Sequence, residues 1–311
     1  MIPTRYAICL SFIALASVAA ACNIPVFRYA LERWRSDGYE FVVVHADNLS
    51  TDQSAFVDQL AAASSDAGGT TNLTVVKVVD ANATVPKLAV RIAMTGGRMV
   101  THWQGTLDEA MQTRLLDSPK RRELAKRLLA GDSVVWLMLR SSDEARTKAV
   151  RDLLKKSFET LNVKIKLPEG IGLPGSELHS EVPLVVKFSM IEIEPADAKE
   201  QFLVRWLSEF HSEAFAKGEP LLVPVFGRGR ALEVIPAEDL SESLIEDLTL
   251  FLSGACSCQV KEQNPGFDLL MSIDWDTELY GPDGLRPPPA KTIDETSKPP
   301  VLLTIPTGKR K

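Results

Sequence analysis

Two successive series of strand-type and helix-type segments predict an α/β protein of two modules, each a mixed sheet flanked by helices, behind an N-terminal signal. Three observations carry that expectation. β-branched runs alternate with segments of helical period, which is the pattern of βα units. The alternation occurs twice, over residues 39–130 and again over 133–254. Each series closes with two strands joined by a glycine-bearing turn, so each sheet gains an antiparallel pair. The chain has 311 residues, 45% of them hydrophobic, which is enough for two cores and excludes global disorder. Its net charge of −6 argues against a general nucleic-acid binder.

The first residues read as an address. Arg5 precedes an apolar stretch that ends in Ala19-Ala20-Ala21, and small residues there suit signal cleavage before Cys22. The stretch is short for a membrane span. A mature chain that begins with cysteine also leaves open a lipid anchor, although Ala19 stands where the usual lipidation motif has leucine. The expected location is therefore the periplasm or cell envelope, free or tethered to the membrane through the N-terminus. The domain expectation is residues 1–21 as signal, 22–131 as the first module, 132–280 as the second, and 281–311 as a proline-rich disordered tail ending in Lys309-Arg310-Lys311.

The elements follow in order. Pro25 fits the first turn of a helix that keeps Val26, Tyr29, Ala30, Arg33 and Trp34 in register, and Asp37-Gly38 stops it. Residues 39–44 form a strand, Ser50 or Thr51 caps a helix over 52–63, and 72–79 form the next strand. Residues 85–103 make a hairpin around Gly96-Gly97, followed by helices over 107–116 and 120–129. In the second series, residues 133–139 lack any polar interruption after Ser133, as a strand buried on both faces should. Asp143 caps a long helix reaching Leu161, and a Gly/Pro-rich connection follows. A strand over 183–193, a helix over 196–210 with the core stripe Phe202, Trp206 and Phe210, a hairpin over 220–235 and a last helix ending near Gly254 complete the series.

The βαβαββα order of residues 133–254, which residues 39–130 follow with the second helix shortened or lost, resembles the thioredoxin-like fold. The local likeness is best where Val85-Pro86 precedes a strand and hairpin, as the cis-proline does in thioredoxins, and Pro220 is the weaker counterpart in the second half. The resemblance implies tandem thioredoxin-like modules. Thioredoxins carry a Cys-x-x-Cys pair after the first strand, where the helix N-terminus lowers a thiol pKa. Here the matching segments begin at His45 and run from Arg140 to Asp143, and neither holds a cysteine. Ordinary dithiol exchange is not expected from either. The sequences around Cys22-Asn-Ile-Pro25 and Cys256-Ser-Cys258 are also similar to a group of uncharacterised exported bacterial proteins, which implies no particular chemistry.

Of the chemistry-bearing residues, Cys256 and Cys258 stand out. Two thiols one residue apart can form a strained, reducible disulfide or hold a soft metal such as copper or zinc, with or without Cys22. Lys261 nearby would favour a thiolate. The plain alternative is a structural disulfide or two inert thiols. His45, His102, His179 and His211 are scattered without ligand spacing, and His45 is the most interesting of them because it ends the first strand. His102 reads as strand surface. Arg228 and Arg230 around a turn glycine could grip an anion. Nucleotide and hydrolase motifs are absent from the sequence. The leading expectation is thus a non-catalytic envelope module, with no cofactor, that binds an unidentified envelope protein. Its alternative is a thiol–disulfide oxidoreductase or a copper/zinc carrier.

Overall fold

The computed structural model describes residues 23–282 except 47, 94–98 and 257–260. The expected signal, Cys22, Cys258, the turn Gly96-Gly97 and the tail beyond Pro282 lie outside the described residues. The first sheet has the order β2-β1-β3-β4, formed by β1 (Tyr39–His45), β2 (Leu73–Val79), β3 (Lys87–Ala93) and β4 (Met99–Thr106). β1 is parallel to β2 and antiparallel to β3, which is antiparallel to β4. Helix α1 (Val26–Arg33) precedes this sheet. Helix α2 (Thr51–Ala63) crosses between β1 and β2, and α3 (Leu107–Gln112) and α4 (Pro119–Leu129) follow β4. α2 opens with a reciprocal cap: the Ser50 hydroxyl accepts from the Gln53 N–H, and the Gln53 side chain accepts from the Ser50 N–H. Residues 80–86 join β2 to β3 without a helix.

The second sheet centres on β5 (Val134–Leu139), parallel to β6 (Phe188–Ile193) and antiparallel to β7 (Leu221–Phe226). The short strands β8 (Arg230–Ala231) and β9 (Ile235–Pro236) pair with β7, and β10 (Phe267–Asp268) pairs with β8. Helix α5 (Glu144–Lys164) joins β5 to β6, α6 (Gln201–Glu209) and α7 (Ser212–Ala216) join β6 to β7, and α8 (Glu242–Ser253) and α9 (Trp275–Tyr280) follow. Both sheets therefore share one strand order and one pattern of directions, which is compatible with a thioredoxin-like fold.

Several elements are shorter than the sequence predicts. The ladder of β6 begins at Phe188 because residues before it bond to a side chain instead: the Ser133 hydroxyl donates to the Val185 carbonyl at 2.5 Å. α6 begins at Gln201 after a turn over 195–200, and α8 begins where the Ser241 hydroxyl accepts the Leu244 N–H. Trp275 opens a helix rather than closing a strand, because the Asp274 carboxylate caps the Thr277 N–H. There is no cis peptide bond among the described residues, so Pro86 and Pro220 follow trans bonds, contrary to the cis-proline expectation. Each proline leads directly into its ladder: the Pro86 carbonyl accepts from Leu107 and the Pro220 carbonyl from Ala237, both at 2.9 Å.

The core departs most from the sequence expectation. α6 sits between the two sheets. Its Trp206 is wholly buried, 5.7 Å from the Tyr39 ring of β1 and 5.2 Å from His102 of β4. One hydrophobic cluster runs from Tyr39, Phe41 and Ile92 through Leu124 and Trp206 to Val135, Leu137 and Val223. The opposite face of the second sheet, with Val134, Trp136 and Met138, packs on α5, α8 and α1. α1 thus stands at the start of the first series but packs with the second. Gly227 (φ +57°) permits this approach, since a Cβ there would lie 2.7 Å from the Cβ of Ala30. His102 is corrected as well: it is buried between Trp206 and Phe210, not on the strand surface.

Candidate functional site

The second sheet changes direction around β5, and the loops at its carboxyl end open a cleft of about 600 Å³. In open α/β sheets this is where ligands bind, because the connections leave in opposite directions and part there. Three segments build the walls. The turn after β5 leads into α5, whose N-cap Asp143 accepts from the Arg146 N–H at 3.0 Å. The segment before β7 brings Lys217, Gly218 and Glu219 alongside it, and a Cβ on Gly218 would sit 3.5 Å from that of Asp143. The third wall is the junction of α6 and α7, from Phe210 to Ala214, with Glu238 opposite.

The lining is polar and carries both charges: Arg146, Lys217 and His211 beside Glu213, Glu219 and Glu238. Arg146 is ion-paired to Glu219 and lies 3.2 Å from Asp143. The pair fixes the wall between α5 and β7 and leaves Lys217 and Glu213 facing the opening. His211 bonds the Val234 carbonyl through Nε2 at 2.8 Å. A carbonyl only accepts, so Nε2 carries a hydrogen and donates it. Glu233, next in the chain to Val234, has its carboxyl raised above the usual range by burial, against the pull of His211. This arrangement can hold a ligand that offers hydrogen bonds and charges of both signs, such as a peptide segment.

The corresponding end of β1 is sparse. His45 bonds its neighbour's carbonyl, Nδ1 to the Ala46 oxygen at 2.5 Å, and Ser50 is spent on capping α2. The second sheet's turn is charged rather than thiol-bearing: Arg140 pairs with Glu144 and Glu194.

Cys256 lies elsewhere, just beyond α8. It is 3% exposed, and its N–H donates to the Ile24 carbonyl at 2.9 Å, next to an antiparallel bridge between Pro25 and Ala255. Cys22 and Cys258 lie outside the described residues. Among the described residues, no three histidine, cysteine or acidic side chains are grouped to hold a metal. Lys261 turns away from thiol chemistry: its ammonium pairs with Asp37 and Asp268 and donates to the Arg35 carbonyl. Arg230 joins the same buried cluster, and burial raises the Asp268 carboxyl against the pull of both cations. Arg228 donates to the Leu31 and Glu32 carbonyls and pairs with Asp276 at 2.8 Å. Both arginines are thus structural clamps rather than an anion grip. Sequence inspection passes over Arg146, Lys217, Glu219 and Glu238. The one local signal is Glu219-Pro220 at the mouth of β7.

No protein-family model matches the chain, and a search of curated proteins returns no match.

Proposed function

We propose that the chain is an exported cell-envelope protein whose two thioredoxin-like halves have lost the dithiol and serve as a binding or assembly module rather than a catalyst. The partner is another envelope protein, and it engages the cleft beyond β5. The observation that carries this reading is the composition of that cleft. Where a thioredoxin keeps its thiols, this chain has Arg140-Ser-Ser-Asp143, and the cleft beside it is lined by charges of both signs, with Arg146 paired to Glu219. Such walls suit recognition of a polar segment. The strand order of both sheets supports the kinship, and the apolar stretch before Cys22 supports export.

A photo-crosslinking side chain at Ser212 tests the reading in the producing cell. The expected result is capture of one discrete envelope protein, lost when Lys217→Glu reverses the cleft charge in a chain that still folds. Absence of any charge-sensitive capture, together with turnover of a disulfide substrate, would overturn it.

A second reading is favoured by one contact. Ile24 and Pro25, which follow Cys22 by two and three residues in sequence, pair with Ala255 and Cys256, which precede Cys258. On this reading the protein handles thiol–disulfide exchange, or copper or zinc, through Cys256 and Cys258 with or without Cys22. Thiol titration before and after mild reductant, with metal analysis, distinguishes the two. The redox or metal reading requires a labile disulfide or bound metal that Cys256→Ser with Cys258→Ser removes.

A further inference from the structure

The outer face of the first sheet carries a strip of valines beside its β2 edge, bordered by Lys87 and by the Glu40–Arg91 ion pair. Away from the core, Val42 and Val44 of β1 lie opposite Val76 and Val78 of β2, and Ala89 of β3 continues the row from Val42. Val76 and Val78 are 39% and 40% exposed. β1 and β2 are parallel, and parallel strands are ordinarily covered on both faces. Here α2 lies on the core side: its Val57 and Leu60 join the central cluster, and its Asp58 meets Lys77 at 3.6 Å. No helix crosses between β2 and β3, so among the described residues this face has no cover.

β2 is also an edge. No strand among the described residues pairs with its outer side, and it carries no proline or bulge to deter one. Natural sheets blunt such edges or cover them. We propose that residues 301–305 of this same chain, Val-Leu-Leu-Thr-Ile, add to the edge of β2 as a fifth strand. Val301, Leu303 and Ile305 then extend the valine face.

Three features favour this occupant. The segment is bounded by Pro299-Pro300 and Pro306, which delimit a short strand. It is followed by Lys309, Arg310 and Lys311, whereas residues 48–86 around the β2 edge contain Asp52, Asp58, Asp66 and Asp80 against the single cation Lys77. The chain also passes the start of β2 before α9 carries it on to Tyr280, whose hydroxyl donates to the Glu32 carbonyl, and to Pro282. Ser272 bridges Thr71 directly before β2, and the Ile273 N–H donates to the Thr70 carbonyl at 3.0 Å. Residues 283–300 can then span up to roughly 60 Å when extended, against roughly 23 Å for β2. This docking is independent of the cleft and its partner.

Hydrogen exchange of the full chain tests it, read by mass spectrometry at low and high salt and compared with the full-chain variant Leu303→Asp with Ile305→Asp. Those substitutions lie outside the two described sheets, so the body keeps its fold. The expected result is that residues 74–79 and 301–305 exchange at least tenfold more slowly in the natural chain than in the variant, with the difference shrinking at high salt. In the reciprocal variant Val76→Glu, residues 301–305 should lose their protection. Free-peptide exchange rates at 301–305 in the natural chain would overturn the proposal. So would unchanged protection of 74–79 in the tail variant, including protection that sedimentation traces to a dimer of this chain.

Discussion

His102 carries the pH sensitivity of the core. Its ring lies between Trp206 and Phe210, Nε2 has no partner among the described residues, and burial lowers its pKa to about 4. In the unfolded chain the imidazole protonates near its ordinary value of about 6.5. Between those values the unfolded state binds a proton that the folded state does not. The stability that the neutral ring supports is therefore complete above about pH 6.5 and is lost as pH falls toward 4, by up to about 3 kcal/mol. Denaturant unfolding at pH 7 and pH 4.5 should show that drop, and His102→Phe should flatten the profile across this window. A second residue-scale expectation concerns Gly227. Gly227→Ala forces a side chain onto α1 from a left-handed backbone and should cost on the order of 2 kcal/mol, read as a lower urea midpoint at unchanged slope.

At the scale of elements, α1 depends on one buried ion pair. Arg28 and Glu32 are each 1% exposed and 2.9 Å apart, and Glu32 also accepts from the His179 and Ser180 backbone N–H groups. The Arg28 guanidinium donates to the Ser180 carbonyl at 2.8 Å. Burial lowers the Arg28 pKa while the Glu32 charge opposes that shift. Glu32→Ala leaves a buried cation without its partner and should cost about 3–5 kcal/mol in equilibrium unfolding. A loss under 1 kcal/mol would mean that the loop at 179–180 is held by something else. The strands were legible because their apolar periods are local. Tyr39, Phe41 and Val43 alternate with half-buried residues, and β5 is apolar throughout. The destination of α1 was not legible. An amphipathic stripe states that a helix is buried but not which surface buries it, and Ala255 is 230 residues from Pro25. The cleft was hidden for the same reason. Arg146 and Glu219 are 73 residues apart, and neither stands in a recognisable motif. The surface reading of His102 failed because the alternation of β4 breaks. Its register shifts opposite Val90 and Arg91, so His102 and Trp103 are both buried.

For the whole molecule, the two repeated sheets do not make two independent units. Tyr39 and Phe41 share a cluster with Val135 and Val223, α6 fills the space between the sheets, and α1 belongs to the far side of the second sheet. Unfolding one half exposes the core of the other. Calorimetry should give a single transition whose calorimetric and van't Hoff enthalpies agree. Two resolved transitions would show that the shared cluster couples the sheets weakly.

The placement of α1 also sets a timetable for synthesis. Helix α1 leaves the ribosome with Ile24 and Pro25 ready to pair, yet Ala255 and Cys256 are still to be made. At about 5–20 residues per second, that wait lasts on the order of ten to fifty seconds. Throughout it, Phe27, Tyr29 and Trp34 have no α8 to receive them. The newborn chain must be kept from sticking to its neighbours until its far end arrives.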